Sequence, residues 1–205
     1  TDPLYHMAEL LDWIKEADAE HEIAGHSFSH PRFSDLSRDQ ARAELMAMCD
    51  AFENRGCELD SVIHPYIDVS HLDLLYEFGI STYSLGVETK ARTLRAGLRP
   101  FLTRNCRFWS TPTVEPFVDS EGLVAVPRSR QLSDERWGWI NIRRLQNTLN
   151  SDDEGLVHLT LHPHNLIYDP FLKYTIPRML KIVAQRRDQG DIEVVTFRKL
   201  ASQLR

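Results

Sequence analysis

Three histidines fall within ten residues, His21, His26 and His30, in the stretch His21-Glu22-Ile23-Ala24-Gly25-His26-Ser27-Phe28-Ser29-His30-Pro31. The spacing of His26 and His30 lets two imidazoles meet one metal ion, across a helical turn or around the bend where a strand ends. Gly25 before the pair and Pro31 after it favour the bend. His21-Glu22 with His26 looks like the helical zinc-protease signature, but that signature needs its histidines four apart and these are five apart. Further histidines close apolar runs: His64 follows Ser61-Val62-Ile63, and His162 and His164 follow Leu156 to Leu161.

The elements that must position these residues can be read in order. Asp2 and Pro3 suit a helix start, and Met7, Leu10, Leu11 and Ile14 recur at helical spacing, predicting a helix over 2–19. His21 to Gly25 reads as a short strand. Ser37 with Gln40 forms a capping box, and Ala41, Leu45, Met48 and Phe52 carry a helix to a stop at Gly56. Ser61 to Ile63 reads as a buried strand, Ser70 as the cap of a helix ending at Gly79, and Ile80 to Leu85 as a strand.

Periodicity then fades from Gly86 to Arg130, where Arg92, Arg95, Arg99, Arg104 and Arg107 fall among Trp109 and several prolines. That segment reads as long loops around short strands at Thr113–Val118 and Leu123–Val126. A helix near Asn141–Asn150, a strand Leu156–Leu161, a helix from Phe171 to Gln189, a strand Ile192–Val195 and a helix capped by Thr196 complete the chain. Strands alternating with helices argue for a parallel α/β domain with its chemistry at the C-terminal strand ends. No Gly-x-Gly-x-x-Gly or Walker-type loop occurs, which weighs against a dinucleotide or nucleotide site.

Composition narrows the classes. The chain has 205 residues and no Pro/Gly/Ser-rich linker, so one domain over 1–205 is expected. A formal charge of −6 argues against a nucleic-acid partner, and no apolar run approaches the roughly 18 residues of a membrane span. Cys49, Cys57 and Cys106 form no metal-type repeat and no disulfide framework, which is compatible with a reducing compartment.

Taken together, Gly25-His26-Ser27-Phe28-Ser29-His30-Pro31 resembles the second motif of the polysaccharide deacetylases, the chitooligosaccharide deacetylase-like group also called carbohydrate esterase family four. Val157-His158-Leu159-Thr160-Leu161-His162 resembles the strand-end motif that supplies the family's catalytic acid, and Ser61-Val62-Ile63-His64-Pro65-Tyr66 resembles its third motif. The likeness runs from about His21 to Leu204. The family's first motif, a strand with paired aspartates, has no counterpart in this sequence, and Ile63 stands where the family carries an Arg.

The resemblance implies a distorted parallel (β/α) barrel, N-terminally incomplete, and removal of N- or O-acetyl groups from a carbohydrate. It implies His26 and His30 as metal ligands, a divalent ion such as zinc as cofactor, His162 as catalytic acid, and Tyr66 as a substrate-binding residue whose backbone N–H holds the oxyanion. A barrel missing a stave exposes strand edges, so a homo-oligomer or a covering upstream segment is expected. His64 and His164 are further candidates near the strand ends; Trp109, Trp137 and Trp139 could stack on sugar faces, and the Arg92–Arg107 run could meet an anionic saccharide or a phosphate. Two other readings stand beside this one: a deacetylase-like domain that binds glycans without hydrolysing them, and a structural or interaction domain with incidental histidines.

Overall fold

A computed structural model describes residues 8–86, 110–132, 138–151 and 154–205. Asp2 and Pro3, the Arg92–Arg107 run, Cys106, Trp109 and Trp137 lie outside the described residues. The described chain is mixed α/β with short, open sheets, and it divides into two compact units.

The first unit comprises 8–82, 121–123 and 195–205. It opens on α1 (Ala8–Lys15), shorter at its C-terminal end than the 2–19 helix that the periodicity predicts. The expected strand His21–Gly25 reduces to one parallel bridge, Gly25 with Val62. α2 (Arg38–Glu53) is as the sequence predicts: the Ser37 side chain accepts from the Gln40 N–H, the Gln40 side chain accepts from Ser37, and Ala41, Leu45 and Met48 form the buried stripe. Past its end, Gly56 takes φ +57° and the Cys57 N–H reaches back to the Phe52 carbonyl at 3.0 Å, a left-handed stop that costs glycine no Cβ clash.

β1 (Ser61–Val62) is fully buried and takes the Gly25 bridge along one side. α3 (Leu72–Glu77) follows, and here the expected Ser70 cap is wrong: His71 occupies the N-cap with φ 56° and makes no cap bond. Its ring is used elsewhere, with Nε2 within 3.2 Å of both the Phe33 and Leu36 carbonyls. α7 (Phe197–Leu204) closes the unit on its Thr196 cap and buries Leu200 and Ala201. Phe33, Leu45, Val62, Leu74, Leu75 and Ile80 supply the core, each worth roughly 1.5–3 kcal/mol when fully buried.

The second unit takes in the described parts of 83–120 and 124–194. β2 (Thr82–Leu85) runs into it beside β4 (Val124–Pro127), and β4 pairs antiparallel with β3 (Phe117–Val118) in the register Phe117 to Ala125. β5 (Arg130–Gln131), which no sequence pattern announced, pairs in parallel with β6 (Leu159–Thr160), all that remains of the expected Leu156–Leu161 strand apart from a bridge between Leu156 and Val114. α4 (Gly138–Leu149) packs on α6 (Leu172–Asp188), with a short α5 (Asn165–Tyr168) before it. Leu132, Leu145 and Met179 form the buried cluster there, joined by Ile142, Leu149, Leu159, Leu161 and Val183.

The expected strand Ile192–Val195 is not formed. Those residues pair with no strand among the described residues; Val194 stays exposed while Ile192 and Val195 are half-buried, and composition alone does not make a ladder.

Candidate functional site

The parallel bridge at Gly25 organises the first unit's candidate site. The Gly25 N–H donates to the Ser61 carbonyl at 2.8 Å, and the Ile63 N–H donates to the Gly25 carbonyl at 2.8 Å. Two chain segments thus leave the ladder at the same end, one delivering His26 and the other Ile63 to Tyr66. Side chains after parallel strands emerge together for this reason.

His26 Nδ1 lies 2.6 Å from the Ile63 carbonyl oxygen. A carbonyl has no proton to give, so Nδ1 is the donor, and in the neutral ring this leaves Nε2 as the acceptor. This is the arrangement by which a ligating histidine is held in one tautomer and one orientation. The His30 ring stands edge-on to His26 with centroids 4.9 Å apart, and the Tyr66 ring is edge-on to His30 at 5.0 Å. Arg32 lies over the outer face of Tyr66, 4.4 Å from its centroid, a cation–π contact.

The backbone around these groups is strained. Among the described residues, the non-glycine positions with positive φ are Ser27, His30, Tyr66, Ile67 and His71, all in the loops that follow Gly25 and β1. Each such conformation costs about 1–3 kcal/mol and persists only where neighbours over-determine it; such residues cluster at binding sites. The β-branched Ile67 at φ 60° is the most costly kind.

Three clamps hold the loops. Ser27 Oγ accepts the His30 N–H at 2.9 Å. The Glu44 carboxylate, projecting from α2, accepts the N–H groups of Phe28 at 3.1 Å and Ser29 at 3.0 Å together with the Ser29 hydroxyl. Asp68 accepts the Ser34 N–H at 2.9 Å and its hydroxyl at 2.7 Å, tying the first loop to the second. Partial burial pulls the Glu44 carboxyl upward, but the bonds from Ser29 and Phe28 outweigh it and hold it below its ordinary value. The Ser34 bonds do the same for Asp68.

Beneath the loops His64 is 1% exposed, its ring edge-on to Phe33 at 4.9 Å. Burial pushes its pKa down to about 4, against weaker upward pulls from the Ser70 backbone and the Asp68 charge. It is a neutral packing histidine and does not face solvent.

His26, His30 and Tyr66 are therefore brought together. Tyr66 is 57% exposed, and its N–H has no acceptor among the described residues. His162 belongs to the second unit: it is exposed, its N–H donates to Asn165 Oδ1 at 3.0 Å, and its ring stacks on His164 with centroids 5.1 Å apart. Trp139 is exposed on α4.

The donor set fits a metal in part. Two imidazoles stand side by side and one is fixed as an acceptor, but among the described residues no group of three or more His, Cys, Asp or Glu side chains is placed to hold an ion. A cleft of about 190 Å³ lined by Lys15, His21, Glu22, Cys57, Glu58 and Arg198 lies in the first unit and contains none of the expected site residues. Glu44, Ser27 and Asp68, which shape the site, were not found from sequence: their partners lie up to 34 residues away and no local pattern marks them. No helix among the described residues is long and apolar enough to cross a membrane. No protein-family model and no curated protein matches this chain.

Proposed function

We propose that this chain is a metal-dependent carbohydrate deacetylase with the distorted parallel (β/α) barrel of that family. The observation that carries the reading is His26 held through Nδ1 by the Ile63 carbonyl at 2.6 Å, with the His30 ring edge-on beside it. His26 through Nε2, and His30, would hold the ion. A divalent ion such as zinc supplies Lewis acidity when bound, lowering the pKa of water and polarising the acyl carbonyl.

The resemblance gives the water's proton to a carboxylate of the first motif, for which this sequence shows no counterpart; Tyr66 and His162 serve the oxyanion and the leaving group. The Tyr66 N–H, without an acceptor among the described residues, donates to the oxyanion as the carbonyl carbon becomes tetrahedral. The resemblance assigns to His162, in the second unit, the proton that goes to the leaving amine or alcohol. The Glu44, Ser27 and Asp68 clamps keep the loop geometry fixed while charge develops.

A second reading, glycan binding without hydrolysis, is favoured by a specific observation: Phe28 and Tyr66 are 63% and 57% exposed on the two loops, while no third metal donor stands among the described residues. The test combines metal retention and acetate release. The reading expects the purified chain to keep zinc through dialysis, His26→Ala and His30→Ala each to weaken retention by about tenfold or more, and acetate release from an acetylated oligosaccharide to vanish in His162→Ala. Binding of the oligosaccharide with no acetate released selects the second reading. No retained metal in the unaltered chain, or retention unaltered in both histidine variants, overturns the metal assignment.

A further inference from the structure

Arg128, directly after Pro127 at the end of β4, is 7% exposed, within a run from Leu123 to Ser129 that is buried throughout. A buried guanidinium is ordinarily matched by a carboxylate, because taking its charge out of water is expensive. Arg128 has no such match among the described residues. Its Nε donates to Ser84 Oγ at 3.2 Å, and no acceptor among the described residues serves Nη1 or Nη2. His158 is electrostatically coupled to it, and that coupling is repulsive. Burial lowers the guanidinium's hold on its proton.

The side chain is held in place. The N–H groups of Ser129 and Arg130 both donate to the His158 carbonyl, at 2.9 and 3.3 Å. The His158 N–H donates to Ser129 Oγ at 3.0 Å, and its ring Nδ1 donates to the Pro127 carbonyl at 3.0 Å. The backbone on both sides of Arg128 is thus stapled to one residue of the neighbouring segment, while Ser84 fixes the inner edge of the guanidinium. What remains is the Nη1/Nη2 edge of a planar fork, the geometry that takes two oxygens of one carboxylate or phosphate.

We propose that Arg128 anchors an anion-binding site in the second unit, taking a carboxylate or phosphate group of a ligand through its Nη1/Nη2 edge. An apolar side chain of similar length would fill the same space without the desolvation cost, and a bound anion would offset that cost for the guanidinium. This site does not depend on the deacetylase reading, and the two stand or fall separately.

The experiment titrates the full chain with inorganic phosphate, acetate and glucuronate, against chloride at matched ionic strength, following thermal unfolding. A ligand that binds only the folded state raises the melting temperature saturably. The expected result is a saturable rise with phosphate, with the carboxylates, or with both, and none with chloride; whichever arm responds names the group. Arg128→Met is expected to lose the response while melting no lower than the parent without anion. Arg128→Lys keeps the charge but not the fork and is expected to bind about tenfold more weakly. Absence of a saturable response in the unaltered chain overturns the proposal, as does an undiminished response in Arg128→Met. If Arg128→Met does not fold, undiminished affinity in Arg128→Lys overturns it instead.

Discussion

A Cβ placed on Gly25 would sit 2.6 Å from the Met48 sulfur and 2.9 Å from Leu59 Cδ1, so the bridge that launches His26 is wedged against the buried face of α2. The glycine is needed there for close approach and not for an unusual φ. Gly25→Ala is expected to destabilise the chain by about 1–3 kcal/mol, the usual cost of overpacking a core. Urea unfolding measures it, and Gly25→Ala combined with Met48→Ala should cost less than the sum of the two single changes, because the truncated Met48 vacates part of the space. Additive losses would show that the contact is not what excludes the side chain.

Glu44 reaches from α2 to the loop between His26 and His30 and gathers three donors on one carboxylate. Glu44→Gln removes the charge and exchanges one acceptor oxygen for a donor, so at least one of these bonds is lost. A destabilisation of about 1 kcal/mol is expected for this half-buried group. Because the folded carboxyl is held below its ordinary pKa, its contribution is present above about pH 4.5 and fades as pH falls through the folded value. Guanidinium unfolding of parent and variant at pH 7 and at pH 3 tests this: the gap between them should narrow at the lower pH.

His64 supplies a second pH dependence, of larger size. Its folded pKa is about 4 against an ordinary value of 6.5, so the unfolded chain binds the extra proton first. Stability is therefore intact above pH 6.5 and is lost as pH falls toward 4, by about 3 kcal/mol in total for a shift of this size. His64→Phe, which keeps a ring against Phe33, should flatten the fall between pH 7 and pH 4 in urea midpoints. An equal slope in parent and variant would remove His64 as its source.

Ser37 caps α2 through the Gln40 N–H, with Gln40 returning the contact. Ser37→Ala is expected to cost about 1 kcal/mol, read as a shift in the thermal or urea midpoint. Since α2 carries Glu44, the same variant should also weaken zinc retention if the His26–His30 reading holds. Fraying at the first turn is expected to reach Glu44 weakly, so the effect on retention should be smaller than that of His26→Ala or His30→Ala.

Where periodicity was long and capped, sequence and structure agree. Ser37, Gln40 and the Ala41–Leu45–Met48 stripe specify α2, and Thr196 specifies the start of α7, because capping and amphipathic burial are encoded within a few residues. The short strands were less legible. His21–Gly25 and Ile192–Val195 have strand-like composition, yet a ladder needs a partner backbone, and one bridge at Gly25 and none among the described residues for 192–195 is what tertiary packing provided. β5 was invisible for the converse reason: Arg130–Gln131 has no strand pattern of its own and pairs because Leu159–Thr160 lies alongside it.

By itself, the sequence singled out the residues proposed to carry the chemistry: the His26/His30 pair, Pro65-Tyr66 after an apolar strand, and His162 after another. It also determined the helices that flank them. Only the tertiary structure decided that the Ile63 carbonyl sets the tautomer of His26, that Tyr66 stands against His30, and that Glu44 and Asp68 hold the loops. It also decided that His64 is packing and that Arg128 is a buried charge with no carboxylate among the described residues. The reason is physical: side-chain type and spacing are local, whereas burial and hydrogen-bond partnership depend on segments tens of residues apart meeting in space.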